Sequence, residues 1–123
     1  MMGGTQPKPR ILIVEDEPII ALDLEDMLAD ADFDIAGTAS TVETALRLIE
    51  SRSFDAAILD ANLCGVSAAP VAAALQARGL PYVVLSGYST EQHPQALRRA
   101  VLLMKPADPT LIIQTLRNLL PVQ

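Results

Sequence analysis

Five short apolar runs punctuate the chain, and all but one lead into a longer stretch where apolar residues recur every three or four positions. The runs are RILIV at 10–14, FDIAGT at 33–38, DAAIL at 55–59, YVVL at 82–85 and AVLLM at 100–104. Their length and aliphatic content predict strands, and their alternation with helical stretches predicts a parallel α/β sheet. Three of them are almost wholly apolar, as strands covered on both faces must be. The second is mixed and is expected at an edge.

The intervening stretches carry helix signals. Pro18 suits a first turn, and Ile20, Leu24, Leu28 and Ala31 follow at helical spacing. Ser40 with Glu43 reads as a capping box, opening a helix that buries Val42, Ala45, Leu46 and Ile49. A third helix is expected from near Ser67 to Gly79, a left-handed C-terminal cap. Asp108-Pro109 opens the last one, with Ile112, Leu116, Leu119 and Leu120 facing inward. The segment 89–98 is interrupted by Pro94 and predicts a short or irregular element.

Composition narrows the class. A chain of 123 residues, half of them hydrophobic and a fifth charged, is the size of one globular domain. Residues 1–9 read as a flexible lead and 10–121 as the folded domain. The net charge of −6 argues against nucleic acid or an anionic membrane as direct partner. No apolar run approaches the roughly 20 residues needed to span a bilayer. The single cysteine, Cys64, excludes an internal disulfide and fits a reducing, cytoplasmic compartment. With a mean hydropathy of +0.31 and few aromatics, the core must be built from Leu, Ile, Val and Ala.

Candidate chemistry gathers where the strands end. The first run delivers Glu15, Asp16 and Glu17 in ILIVEDEP. Like charges about 4 Å apart repel by roughly 4 kcal/mol at an effective dielectric near 20, so solvent, a proton or a cation must offset them. Asp60 follows the third run, Ser86 the fourth and Lys105 the fifth. In open parallel sheets ligands bind beyond the carboxyl ends of the strands, so these five groups are expected to share one rim. Glu17, beside Pro18, is assigned to the helix dipole rather than to the site.

An acidic pair after strand one, Asp after strand three, Ser after strand four and Lys-Pro after strand five together resemble the receiver domain of two-component response regulators. The resemblance runs from about Arg10 to Leu120. It implies a flavodoxin-like (βα)5 doubly wound parallel sheet with strand order 2-1-3-4-5. Asp60 is then the phosphoacceptor, taking a phosphoryl group from a sensor histidine kinase or histidine phosphotransfer protein. Asp16 and Asp60 are the implied Mg2+ ligands, with the Asn62 backbone carbonyl and Glu15, directly or through water. Ser86 and Lys105 are implied to stabilise the phosphoryl group. The Lys105-Pro106 peptide is often cis in this family. Phosphoryl transfer needs mostly positioning and charge neutralisation, and Mg2+ suits a site with few carboxylates.

Three departures stand out. Leu102 occupies the position where strand five usually carries an aromatic switch residue. The loop after the phosphoacceptor often reads Met-Pro, and here it is Leu63-Cys64 followed by Gly65. Strand four runs into PYVVLSGYS, similar to a subgroup of stand-alone receivers, which makes Ser86 and Tyr88 the implied switch pair. The chain ends three residues past the last helix, so a single-domain regulator is expected, acting through a downstream protein partner or as a phosphate sink. The fourth helical segment, fifth strand and last helix form the usual partner face. Cys64 itself reads as an ordinary loop residue, with no positive neighbour in sequence to lower its pKa. His93, before Pro94 in a polar stretch, reads as non-catalytic, and Arg98-Arg99 as the solvated end of the fourth helical segment rather than a phosphate-binding patch.

Rival readings are a phosphorylation-independent interaction module, an aspartyl-phosphate phosphatase and a flavin-binding domain. The phosphatase usually wants a second Asp where this chain has Asn62. A flavin phosphate would be repelled by EDEPII. The receiver is not expected to be an enzyme beyond its own phosphoryl transfer and loss.

Overall fold

The computed structural model describes residues 7–87 and 101–120. Its elements are β1 (Arg10–Val14), α1 (Pro18–Asp30), β2 (Asp34–Ala39), α2 (Val42–Ser51), β3 (Ala56–Asp60), β4 (Asn62–Leu63), β5 (Val66–Ser67), α3 (Ala69–Ala77), β6 (Tyr82–Ser86), β7 (Val101–Met104) and α4 (Pro109–Leu119). Five parallel strands form one sheet in the order β2-β1-β3-β6-β7. Setting aside the two-residue pair β4-β5, this is the expected 2-1-3-4-5 order, with β2 at an edge. The segment 89–98, Tyr88, His93 and Arg98-Arg99 lie outside the described residues.

Alternation along the strands divides the interior into two cores. Leu12, Val14, Ala57, Leu59, Tyr82 and Val84 face α2 and α3, while Ile11, Ile13, Ala56, Ile58, Val83 and Leu85 face α1 and α4. Strands β1, β3 and β6 are therefore covered on both sides, which is why they read as unbroken apolar runs. The Tyr82 hydroxyl accepts from Gln76 Nε2 at 2.6 Å, so this large ring is buried without an orphaned polar tip.

Helix ends follow local chemistry, with two shifts from the sequence reading. The cap of α2 is Thr41 rather than Ser40: β2 runs on to Ala39, and Thr41 Oγ1 accepts from Thr44 N at 3.1 Å. Helix α3 begins at Ala69, because Ser67 belongs to β5 and its Oγ accepts from Ala69 N at 3.1 Å. Gly79 does close α3, at φ +68°, with Leu80 N donating to Leu75 O. Asp32 closes α1 in the same left-handed region at φ +67°, a conformation that Asp tolerates. Asp108 caps α4 through Thr110 N at 2.9 Å.

Strand β2 carries a bulge that the sequence did not announce. Its pairing with β1 shifts between Ile11↔Ile35 and Leu12↔Gly37, leaving Ala36 extra. The Ala36 carbonyl accepts from Arg52 Nη1 at 2.6 Å. A Cβ on Gly37 would lie 3.2 Å from Leu48 Cδ1, a tight approach that the leucine would have to yield to by a few tenths of an ångström. Arg52→Ala is expected to lower stability by about 1–2 kcal/mol, the loss of a charged hydrogen bond to a buried carbonyl. Urea unfolding of the two proteins checks this.

Candidate functional site

The carboxyl ends of β1, β3, β6 and β7 form one rim. Glu15 leaves β1 with its backbone N–H on Ala39 O at 2.9 Å, which continues the β1-β2 ladder and fixes the chain direction. Its carboxylate is turned inward and is only 2 % exposed. Asp60 ends β3 and is 6 % exposed, whereas Asp16 is half-buried. Oxygens of these three carboxylates lie within 4.8 Å of one another.

Lys105 answers part of that crowding. Its Nζ lies 3.0 Å from Asp60 Oδ2 and 3.5 Å from Glu15 Oε1. The strand end is pinned by Lys105 N donating to Ser86 O at 2.7 Å, and the Lys105-Pro106 peptide is cis. Burial works to lower the Lys105 pKa, but the hydrogen bond and charge of Asp60, with Glu15, outweigh it and raise it. The ammonium is therefore firmly charged.

Each acid has its own partners. Glu15 Oε2 accepts from Glu17 N at 3.1 Å, and Oε1 is buried without a hydrogen-bond partner among the described residues. Burial pushes the Glu15 pKa up to about 7; the Glu17 amide and Lys105 work the other way, and Asp60 adds to the rise. Asp16 is also desolvated, but its pKa is lowered because hydrogen bonds win: Cys64 N donates to Oδ2 at 3.0 Å, and Cys64 Sγ lies 3.4 Å from the same oxygen. That contact pushes the Cys64 thiol pKa up, so it is no activated nucleophile. Asp60 Oδ1 accepts from Asn62 N at 3.2 Å.

A cavity of about 460 Å³ opens on this rim, lined by Asp16, Glu17, Ile20, Asp60, Asn62, Gly87 and Lys105. Of the residues singled out in the sequence, Glu15, Asp16, Asp60, Asn62 and Lys105 come together. Ser86 ends β6 one residue beyond Leu85, the partner of Asp60, and is buried. Tyr88 lies outside the described residues. Two contributions were missed. Glu17, read only as a helix entry, holds Glu15 through its amide and lines the cavity, while its carboxylate makes no capping bond. Cys64, read as an ordinary loop residue, is a partner of Asp16. The signal was the Cys-Gly pair between Leu63 and Val66, which makes a tight hairpin.

The family model of the response regulator receiver domain matches residues 11–117. The chain belongs to this family. Transcriptional regulatory protein PdtaR of Mycobacterium tuberculosis is 34% identical over 94 residues, 74% of this chain. The match spans 45% of that curated relative's length. The solution structure of SdrG from Sphingomonas melonis Fr1 is 41% identical, with a TM-score of 0.79 over 94% of this chain and 98% of that one. The BeF3-activated conformation of SdrG from Pseudomonas melonis Fr1 is 43% identical, with a TM-score of 0.76 over 91% and 96% of the two chains. Receiver domains are signalling modules that bind Mg2+ at an acidic pocket, and this chain gathers Glu15, Asp16 and Asp60 into one acidic cluster. No helix among the described residues is long and apolar enough to cross a membrane.

The raised Glu15 pKa sets a sign for the cation-free protein. A carboxyl whose folded pKa exceeds its ordinary 4.5 favours folding below pH 4.5, and that contribution is lost as pH rises through about 7. Without divalent ions, stability is expected to fall between pH 5 and 8 by roughly 2–3 kcal/mol from this group. Glu15→Gln should flatten that part of the profile in urea unfolding with a chelator present.

Proposed function

We propose that the protein is a single-domain response regulator. In this reading Asp60 accepts a phosphoryl group from a histidine kinase or histidine phosphotransfer protein in a Mg2+-dependent step. The observation that carries it is Asp60 itself: a nearly buried carboxylate at the mouth of a cavity, paired with Lys105 at 3.0 Å and flanked by two further acids.

The donor set fits a hard divalent cation. Three carboxylates meet, and the buried Glu15 Oε1 has no hydrogen-bond partner among the described residues. Asp16 and Asp60, the Asn62 carbonyl and Glu15 would hold Mg2+, which supplies shielding of the negative charges that must approach. Asp60 attacks phosphorus in line with the leaving imidazole. A carboxylate O–P bond forms, the N–P bond breaks, and its electron pair stays on the imidazole nitrogen. Lys105 then turns from the carboxylate to the transferred phosphoryl oxygens, and Ser86 donates its hydroxyl to one of them. Both act by orienting charge that is already in place.

The signal passes by protein contact or by competition for phosphoryl groups, in the cytoplasm, with Ser86 and Tyr88 as the switch pair. Incubation with a small phosphodonor should add one phosphoryl group to the intact mass, dependent on Mg2+ and lost in Asp60→Ala. A folded parent protein that stays unmodified and binds no Mg2+ would instead make the domain a phosphorylation-independent interaction module.

A further inference from the structure

The loop after Asp60 is a two-residue hairpin, and its central amides are not used to close it. Asn62 pairs with Ser67 and Leu63 with Val66, and Ala68 N donates to Ala61 O at 3.0 Å below them. Cys64 at φ +53° and Gly65 at φ +83° both lie in the left-handed region, the signature of a type I′ turn. In such a turn the flanking residues carry the ladder bonds, so the amides of Cys64 and Gly65 are spare. Gly65 N turns back to Asn62 Oδ1 at 2.8 Å. Cys64 N reaches across to Asp16 Oδ2 at 3.0 Å.

Besides Cys64, Asp16 is engaged by the Glu15 side chain and by its own backbone. It stands at the half-exposed edge of the acidic group, where a free carboxylate would turn between rotamers. The neighbouring Glu15 is buried, and its Oε1 has no hydrogen-bond partner among the described residues, only the Lys105 ammonium at 3.5 Å. A cation closing that gap needs Asp16 in one orientation, and the hairpin amide supplies it.

We propose that Cys64 is a positioning residue for the cation site, acting through its backbone N–H, which the left-handed turn presents to Asp16. This rests on the Mg2+ reading above and adds what sets the affinity. The thiol, 3.4 Å from the same oxygen, is a secondary contact. A proline at position 64 could not do this: it has no N–H, and its φ near −65° is opposite in sign to the one observed. Loops that read Met-Pro after the phosphoacceptor therefore lack this donor. Leu63-Cys64-Gly65 is not a neutral variation but a different way of holding the metal carboxylate.

The test separates the amide from the side chain. Mg2+ titrations followed by amide NMR shifts compare the parent, Cys64→Ala, and the same alanine chain with its residue-64 amide replaced by an ester. Cys64→Ala is expected to bind Mg2+ within about twofold of the parent. The ester is expected to bind about tenfold more weakly, the usual scale for loss of a group that orients a metal ligand. Its cation-free unfolding midpoint is expected to fall with the loss of one hydrogen bond to a carboxylate, so the affinities are compared where unfolding curves show both chains fully folded. Equal affinity of ester and amide overturns the proposal.

Should the ester not fold, Gly65→Val strains the turn without touching Asp16 and should weaken Mg2+ binding, while Gly65→Asn, which tolerates the same φ, should restore it. Undiminished affinity in Gly65→Val also overturns the proposal. A folded parent that binds no Mg2+ removes the underlying reading, and its own titration shows that separately.

Discussion

The ammonium of Lys105 between Asp60 and Glu15 is the interaction on which this end of the molecule depends. Its two partners are nearly buried, so bulk water screens the pairing less than it would on the surface, while the lysine keeps about a quarter of its side chain exposed. One positive charge nonetheless faces three carboxylates. The remainder is handled unequally: Asp16 is hydrogen-bonded by a backbone amide, Asp60 shares the lysine, and Glu15 is left with a proton affinity near neutrality. A site arranged this way is held together but short of positive charge. That shortage is what a divalent ion would meet.

Much of this could be read from the chain because it is written in side chains. The strands buried on both faces show as RILIV, DAAIL and YVVL, whose burial forbids polar interruptions. Asp60 stood out because it follows directly on such a run, and Lys105 because it follows the apolar run AVLLM, although that strand lies at the sheet edge and is not buried on both faces. What escaped the reading is carried by the backbone. Nothing in the side chain of Cys64 says that its amide will bond Asp16, forty-eight positions away. Glu17 likewise acts on Glu15 through an N–H that any residue but proline has. Thr41 displaced Ser40 as a cap because β2 ran one residue further than its polarity suggested, and pattern alone does not fix where a strand lets go.

The family resemblance and the geometry speak to different questions. Five parallel strands in this order place ligands at their carboxyl ends for topological reasons, whichever chemistry occupies the site. The chemistry comes from which side chains stand there, and three acids with one lysine are a poor host for an anionic cofactor but a good one for a hard cation. The two lines of reasoning meet at Asp60, the residue at which the central strand enters the acidic group.

The bulge in β2 has a consequence for the parity of the strand. Ala36 and Ala39 enter the same core although they are three positions apart, an odd spacing that a regular pleat would send to opposite faces. Counting by twos is correct on either side of Ala36 and wrong across it. The extra residue also advances β2 by one step against β1, so that the carbonyl meeting the Glu15 amide belongs to Ala39. Pairing without the bulge, kept in the register of Ile11 and Ile35, would bring Thr38 to that place instead. A one-residue surplus near the far end of the edge strand thus fixes the pairing from which the acidic rim begins.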